Sequence, residues 1–158
     1  MRSILKRKEQ SWAINSNANG LRFGIVAASY NPEFADALVG NCLDALAKAG
    51  GETRVVRVPG SFEVSGAAAK LAKSGRYDCV IGLGILVQGE TSHAQHIAGA
   101  VANGLTKIAI ETGVPTVFGI VTANNLRQAR VRCLGKQYNR GREAAHTAIQ
   151  MARLWKSL

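Results

Sequence analysis

The sequence predicts an α/β fold, a three-layer α/β/α sandwich in which a four-stranded, mainly parallel sheet carries helices on both faces. Four short apolar runs of strand length alternate with longer segments whose apolar residues recur at helical spacing. Residues that favour turns stand at the junctions between these segments. Strands that alternate with helices form parallel sheets, because each right-handed connection lays its helix on one face of the sheet.

Length and composition indicate one folded domain. The chain has 158 residues, of which 47% are hydrophobic and 19% are charged, and only 3 are prolines. A chain of this length buries roughly two-thirds of the surface that its unfolded form exposes, which is enough for one core. We therefore expect a single domain at 21–158 and a basic N-terminal arm at 1–20, which is either disordered or paired with a neighbouring subunit.

The first half of the chain contains two strand–helix units. A buried strand is predicted at 22–29, after which Asn31 suits a helix N-cap and Pro32 suits the first helical position. The helix that follows is marked by apolar residues at every fourth position and by a terminal glycine pair: Phe34, Leu38, Cys42, Leu46, Gly50 and Gly51. A second strand at 53–58 and an alanine-rich helix at 63–74 come next.

The second half of the chain continues the alternation. Its predicted elements are a strand at 78–86, a helix from near Glu90 to about residue 111, a strand at 116–122, and helices at about 124–134 and 140–156. Gly113 and Pro115 separate the first of these helices from the fourth strand, because both residues interrupt a helix. No internal repeat and no interdomain linker is evident.

The loops after the strands are the predicted ligand site, because ligands bind to parallel α/β sheets beyond the carboxyl ends of the strands. These loops contain two aromatic residues, a carboxylate and an imidazole, namely Tyr30, Phe62, Glu63 and His93. Aromatic faces stack on planar rings, and the other two groups bind polar atoms. The set therefore favours a flat, polar, heterocyclic ligand.

The turn GETSH at 89–93 has two interpretations. The first amides of a helix lack partners and lie at the positive end of its dipole, so a helix that starts near Glu90 would offer them to a phosphate. The hydroxyls of Thr91 and Ser92 would add donors, and His93 would exchange protons with the ligand. Alternatively, His93 is an ordinary surface residue of the first helical turn. The turn alone leaves both interpretations open.

Several other functions are disfavoured. GLG at 82–84 does not continue as GxGxxG, and no GxxxxGK[ST] occurs, so the common nucleotide-binding motifs are absent. His93 and His96 are spaced as two ligands on one helix face, but no cysteine lies nearby, and we expect no metal. We interpret His96 and His146 as surface or interface histidines. The cysteines, Cys42, Cys79 and Cys133, are interpreted as reduced thiols.

The net charge of +10 is concentrated at the two ends of the chain. Residues 1–12 carry +3 and residues 127–158 carry +7, whereas residues 13–126 are neutral. The basic last segment raises the hypothesis of a nucleic-acid-binding module, but no such motif is present, and we expect no nucleic-acid partner.

No apolar run reaches the roughly 18 residues of a membrane span, and no secretory signal is evident. We expect no membrane association and a cytoplasmic location.

The strand-end loops and the segments around them resemble the lumazine synthase family. The likeness covers about residues 20–155 and rests on GIVAASYN, VPGSFE, GILVQGETSH, VFGIVT, QARVR and NRGREAA in that order. It implies a flavodoxin-like fold and the penultimate step of riboflavin biosynthesis. In that step 5-amino-6-(D-ribitylamino)uracil condenses with 3,4-dihydroxy-2-butanone 4-phosphate to give 6,7-dimethyl-8-ribityllumazine, phosphate and water. Because no redox step occurs, we expect no cofactor.

The resemblance also implies a role for each site residue. The pyrimidine and its ribityl chain would be bound by Tyr30, Asn31, Ser61, Phe62, Glu63, Leu86, Val87, Phe118 and Arg140. The phosphate would be bound by Gly89, Glu90, Thr91 and Arg132. His93 would transfer protons, and Arg132 would be catalytic as well. Because Phe118, Arg132 and Arg140 would come from a neighbouring subunit, the resemblance places the active site at an interface of a homo-oligomer.

Some residues depart from the family pattern. Gln88 stands where a lysine or arginine usually precedes the turn glycine, which removes one positive charge beside the phosphate site. Arg140 replaces a usual lysine. Bulkier residues replace small ones in the turn between the last two helices, namely Cys133, Leu134, Gln137 and Tyr138. Gln88 motivates one alternative function, a non-catalytic paralogue that binds lumazine or flavin.

The turn between the last two helices bears on assembly. In the resembling family this turn helps decide whether pentamers remain separate or form icosahedral shells. The sequence CLGKQYNRG has no insertion but departs from the shell-forming pattern. We therefore expect a homopentamer, with a larger shell as the alternative, and riboflavin synthase as a further protein partner.

Overall fold

The structure, a computed structural model, describes residues 16–158 and contains the predicted elements in the predicted order. The strands are β1 (Arg22–Ala28), β2 (Glu52–Val58), β3 (Cys79–Val87) and β4 (Thr116–Ala123). The helices are α1 (Pro32–Lys48), α2 (Val64–Lys73), α3 (His93–Thr112), α4 (Leu126–Leu134) and α5 (Arg140–Ser157), and a short 3-10 helix, Ser61–Glu63, precedes α2. The largest difference from the predicted boundaries is at α3, which begins at His93 and not near Glu90.

The strands form one sheet in the order β2-β1-β3-β4, and every pair is parallel. β1 and β3 are central and buried on both faces, which explains their continuous apolar sequences. β2 and β4 form the edges, and exposed residues interrupt both. The order is that of a flavodoxin-like sheet without its last strand, so the predicted fold class is confirmed.

Helices cover both faces of the sheet. α1 and α5 pack on one face, in a buried cluster that includes Ile25, Leu46, Ile81 and Ile149. α2 and α3 pack on the other face, in a second cluster that includes Val26, Val64, Val80 and Leu105. Because burying one such side chain stabilises a fold by about 1.5–3 kcal/mol, these two layers hold the sheet in place. α4 covers the carboxyl ends of β3 and β4 through a third cluster, which includes Ile85, Val121 and Ala129.

The segment before β1 is packed on the body of the protein. Ala18 is buried, and its amide donates to the carbonyl oxygen of Ala49 at 2.8 Å. The guanidinium of Arg153 in α5 donates to the carbonyl oxygens of Asn17 and Asn19, at 3.0 Å each. These bonds fix the chain at 17–19, and residues 1–15 of the predicted basic arm lie outside the described residues.

The three cysteines are free and buried. Burial raises the pKa of the Cys42 thiol to about 12 and that of Cys133 to about 11, because a buried thiolate loses its hydration. Burial also raises the pKa of Cys79, with smaller contributions from Cys42 and Asp78. The thiols therefore pack as small apolar groups.

In the part of the chain from residue 16 onward, no helix is long and apolar enough to cross a membrane.

Candidate active site

A cavity of about 860 Å³ lies at the carboxyl ends of the strands. The loops after β1, β2 and β3 and the first turn of α3 form its walls. Ten of the predicted site residues line it: Tyr30, Asn31, Ser61, Phe62, Glu63, Leu86, Val87, Gly89, Thr91 and His93. These residues come from three separate segments of the sequence, 30–31, 61–63 and 86–93, and the parallel sheet brings them together because all its strands end on the same side.

Two aromatic side chains flank the cavity and are largely exposed. Tyr30 follows β1 and is 72% exposed, and Phe62 lies in the 3-10 helix and is 63% exposed. A large aromatic surface in water at the mouth of a cavity is available for stacking on a planar ligand. The arrangement agrees with the flat heterocyclic ligand that the sequence predicts.

Asn31 occupies the predicted N-cap position of α1 but does not cap the helix with its side chain. Its backbone adopts a left-handed conformation with φ of 53°, and it is the one non-glycine residue with positive φ within residues 16–158. Such a conformation is unfavourable for most L residues, although asparagine tolerates it better than others. The N-cap position is confirmed, whereas the expected capping hydrogen bond is absent among the described residues. The residue lines the cavity, and its side chain has no capping role.

The loop between β2 and α2 holds a carboxylate at the cavity. The Oε2 atom of Glu63 accepts a hydrogen bond from the backbone amide of Gly60 at 3.0 Å. The amide of Ser29 donates to the carbonyl oxygens of Val58 and Pro59, at 2.9 and 3.2 Å, and so ties the loops after β1 and β2 together. The position of the Glu63 carboxylate is therefore fixed by backbone contacts, and its other lone pairs face solvent.

The GETSH turn has more non-helical residues before α3 than the sequence predicts. Because α3 begins at His93, residues 89–92 lie outside the helix. The amide of His93 donates to the Oγ1 atom of Thr91 at 3.4 Å, which supports the non-helical turn. The four amides of residues 89–92 have no acceptor among the described residues. Unpaired amides that precede a helix form a ready binding surface for an anion.

Two histidines, not one, line the cavity. His93 is the first residue of α3, and its imidazole has no hydrogen-bond partner within residues 16–158. His96 lies one turn later, and its Nε2 atom is 3.1 Å from the Oγ atom of Ser92. His96 is exposed, as expected for a surface residue, but it also lines the cavity, which was not predicted from the sequence. The signal was its spacing from His93, because residues three apart share one face of a helix.

Three of the remaining predicted residues lie elsewhere in the chain. Phe118, Arg132 and Arg140 line a second concavity, of about 810 Å³, which β4, α4 and α5 enclose. The Nη1 atom of Arg140 is 2.6 Å from the Oε2 atom of Glu143, and the two side chains form a salt bridge. The guanidinium of Arg132 is exposed and has no carboxylate partner in the described part of the chain. It is therefore available to bind an anion.

Glu90, the last predicted residue, is exposed but does not line either concavity. Its backbone amide is one of the four amides of residues 89–92 that have no acceptor among the described residues. From residue 16 onward, no three His, Cys, Asp or Glu side chains come together in a way that would hold a metal ion. The cavity instead offers aromatic faces, backbone amides, a carboxylate and imidazoles.

Comparison with known proteins agrees with this arrangement. The family model described as 6,7-dimethyl-8-ribityllumazine synthase matches residues 20–156, which include both concavities. The chain is also 44% identical, over 144 residues, to a protein of Aquifex aeolicus (strain VF5) with the name 6,7-dimethyl-8-ribityllumazine synthase, and the match covers 89% of this chain and 94% of the relative. The chain therefore belongs to the 6,7-dimethyl-8-ribityllumazine synthase family.

Proposed function

We propose that the chain condenses 5-amino-6-(D-ribitylamino)uracil with 3,4-dihydroxy-2-butanone 4-phosphate to 6,7-dimethyl-8-ribityllumazine. One structural observation supports the proposal in addition to family membership. A single cavity combines exposed aromatic faces, unpaired turn amides and an imidazole, which are the groups that a planar pyrimidine, a phosphate and a proton-transfer reaction require. The proposal makes the chain an enzyme of riboflavin biosynthesis, at the step before the flavin itself is formed.

The pyrimidine substrate fits the wall formed by the loops after β1 and β2. Tyr30 and Phe62 supply faces on which the ring stacks, and both are exposed enough to do so. Glu63 accepts from ribityl hydroxyls with the lone pairs that its bond to Gly60 leaves free. The remaining pyrimidine contacts are assigned to Asn31, Ser61, Leu86 and Val87, which line the same cavity.

The phosphate of the second substrate is assigned to the turn amides of Gly89, Glu90 and Thr91. These amides precede α3, whose dipole adds positive potential at this end. His93 follows immediately, so that an imidazole lies beside the carbon skeleton attached to the phosphate. An imidazole both accepts and donates protons near neutral pH.

The proposed reaction combines several proton transfers with the departure of one phosphate anion. The ring amine attacks the ketone to form an imine with loss of one water, phosphate is eliminated, and the second amine closes the ring with loss of a second water. His93 moves protons in these steps, while amides and a guanidinium hold the phosphate before and during its departure. Most of the acceleration would come from holding the two substrates in a reactive orientation.

A neighbouring subunit completes the proposed site in a homopentamer. Phe118, Arg132 and Arg140 line a concavity of their own, on β4, α4 and α5, and not the cavity that contains His93. The exposed ring of Phe118 on the edge strand suits a contact made by another copy of the chain, as does the guanidinium of Arg132, which has no carboxylate partner within residues 16–158. We assign Arg132 to the phosphate and the other two residues to the pyrimidine substrate.

The proposed location, protein partner and cofactor requirement follow from the thiols and from the proposed reaction. The three free thiols suit a reducing compartment, which supports a cytoplasmic location. Riboflavin synthase, the enzyme that uses the lumazine product, is the proposed protein partner. No cofactor is required, because no step of the condensation is a redox step.

The test is a coupled measurement on the purified protein. Both substrates are mixed with it, and lumazine absorbance and released phosphate are followed together against the uncatalysed background. We expect matched, protein-dependent appearance of both products. Binding of the pyrimidine substrate without acceleration of either product would contradict the proposal and indicate a protein that only binds lumazine or flavin.

A further inference from the structure

Gln88 is anchored at the point where the sheet meets the GETSH turn. Its backbone amide donates to the carbonyl oxygen of Ala123 at 2.7 Å, which extends the contact between β3 and β4 by one residue. Its side-chain Nε2 atom donates to the carbonyl oxygen of Thr91 at 2.6 Å and to that of Gly89 at 3.3 Å. Both partners are acceptors, so the side-chain NH₂ group, and not its oxygen, must face them.

These two bonds determine the direction of two other backbone groups. In a trans peptide unit the C=O and the N–H point in opposite directions. The carbonyl of Gly89 shares its peptide unit with the amide of Glu90, and the carbonyl of Thr91 shares its unit with the amide of Ser92. Because Gln88 holds both carbonyls, it turns the amides of Glu90 and Ser92 away from itself. Neither amide has an acceptor among the described residues.

We infer that Gln88 is a positioning residue for the phosphate monoester, because its side-chain amide holds the carbonyls of Gly89 and Thr91 and thereby presents the amides of Glu90 and Ser92 to the anion. The inference rests on the proposed function, in which the amides of Gly89, Glu90 and Thr91 bind the phosphate of the second substrate, and it adds the amide of Ser92 to that set. A lysine or arginine at this position would bring a positive charge to the anion. Gln88 instead supplies a turn whose donors are oriented before the anion arrives, which avoids the cost of reorganisation.

The first test compares variants at Gln88 in steady-state kinetics with both substrates. Gln88→Met keeps the side-chain length and removes both donated bonds, and Gln88→Glu places an acceptor against the two carbonyls. For Gln88→Met we expect KM for the butanone phosphate to rise about tenfold, the scale of one or two lost hydrogen bonds, with KM for the pyrimidine changed less than about twofold. Gln88→Glu should raise KM for the butanone phosphate further.

Gln150→Met is the matched control, because Gln150 is exposed on α5 and lines neither concavity. It should leave both KM values unchanged. An equal rise of both KM values in Gln88→Met, or a change confined to kcat, would overturn the inference. Either result would mean that Gln88 supports the general shape of the cavity, or the chemistry, and not the phosphate.

A second measurement does not require turnover. Inorganic phosphate is titrated into the isotope-labelled full chain, and the backbone amide resonances of Glu90 and Ser92 are followed by NMR. In the unsubstituted protein both resonances should shift and saturate, and Gln88→Met should require about tenfold more phosphate. If the unsubstituted protein shows this response without turnover, the proposed function fails and the role of Gln88 is retained. Equal titration curves for the two proteins would overturn the inference even if turnover is normal.

Discussion

His93 is the residue on which the proposed chemistry depends most directly. It is the first residue of α3, its imidazole lines the cavity, and no described group occupies its nitrogen atoms. We expect His93→Ala to lower kcat about a hundredfold or more, with a smaller change in either KM, because proton transfer is lost while the binding groups remain. Single-turnover and steady-state rates of lumazine formation measure this.

His96→Ala is the companion variant, since His96 lines the same cavity but has Ser92 within hydrogen-bond distance. It should lower kcat by less than about tenfold, because its nitrogen is already engaged and the proton carrier remains. An unchanged rate in His93→Ala would remove that residue from the mechanism. A larger loss in His96→Ala would move the proton-transfer role to the second histidine.

Asn31 has a conformation that most side chains disfavour, which leads to a stability prediction. With φ at 53°, Asn31→Ala should destabilise the protein by about 1 kcal/mol, whereas Asn31→Gly should be within about 0.5 kcal/mol of the original. Thermal unfolding at one fixed protein concentration measures both, because the unfolding of an oligomer depends on concentration. Equal shifts in the two variants would mean that the side chain, and not the backbone angle, sets the cost.

Most of the cavity could be predicted at the residue scale, and the reason is geometric. Tyr30 and Glu63 lie in the connections that follow β1 and β2, and His93 begins α3 after β3, so their gathering follows from the strand order alone. The path of residues 89–92 could not be predicted, because it depends on the side-chain bonds of Gln88 and Thr91 to nearby backbone. Such bonds depend on rotamers and loop geometry, which the spacing of residue types does not specify.

At the scale of elements, the close approach of α1 and α5 depends on one glycine. Gly141 is buried in the first turn of α5, and a Cβ atom at this position would clash with the backbone carbonyl of Leu38 in α1. Backbone atoms cannot move aside as a flexible side chain does. The two helices approach this closely only because residue 141 has no side chain.

Gly141→Ala should therefore destabilise the protein by about 1–3 kcal/mol, the usual cost of overpacking. The control is Gly40→Ala, because Gly40 lies within α1 and an added Cβ atom there would have nothing within 4 Å. That variant should stabilise by about 0.5–1 kcal/mol, since alanine favours helices over glycine. Unfolding temperatures of the two variants should thus move in opposite directions. If both variants are stabilised, the helices are free to separate without cost.

The order and type of the elements were predictable because the apolar periodicity is strong in each of them. The central strands are continuous apolar runs, and α1 shows apolar residues at every fourth position. Helix starts were less predictable. α4 begins at Leu126, where the side chain of Asn125 accepts from the amide of Gln128 at 2.9 Å, and the sequence places the start two residues earlier. Asn124 and Asn125 are both suitable capping residues, and only the backbone angles decide which of them caps the helix.

At the scale of the whole molecule, the buried thiols make stability depend on pH. A cysteine in the unfolded chain ionises near its ordinary pKa of 9.0, whereas burial raises the pKa of Cys42 to about 12 and that of Cys133 to about 11. A raised pKa in the folded state gives stability that is fully present below pH 9.0 and is lost as the pH rises toward 11 or 12. Each thiol contributes a slope of up to about −1.4 kcal/mol per pH unit in this range.

The free energy of unfolding should therefore fall between about pH 8 and pH 10 in the original chain. Cys42→Ala should be less stable at the lower pH, because a fully buried side chain is shortened, but it should lose less stability over the same interval. Denaturant unfolding at matched concentrations gives both slopes. Identical slopes would show that the Cys42 thiol does not remain protonated in the folded protein.

The two concavities of one chain carry complementary parts of the proposed site. The cavity at the strand ends has the imidazole of His93, the turn amides and two aromatic rings, whereas the surface of β4, α4 and α5 has the exposed ring of Phe118 and the exposed guanidinium of Arg132. The proposed phosphate ligands are thus divided between the two surfaces. A ring of subunits can satisfy both at every interface, because in a heterologous contact each copy presents one surface to the copy before it and the other to the copy after it.

This division predicts that two inactive variants will restore activity to each other. His93→Ala damages one surface and Arg132→Ala damages the other, so in mixed rings an interface can pair an intact His93 with an intact Arg132. With the two variants co-expressed in equal amounts and assembled at random, about a quarter of the interfaces are intact, and about a quarter of the original activity should return. Each variant assembled alone, with equal total protein, provides the control. Activity no greater than the average of the two separate variants would place both residues in the site of one subunit, because then no interface in a mixed ring could contain an intact pair.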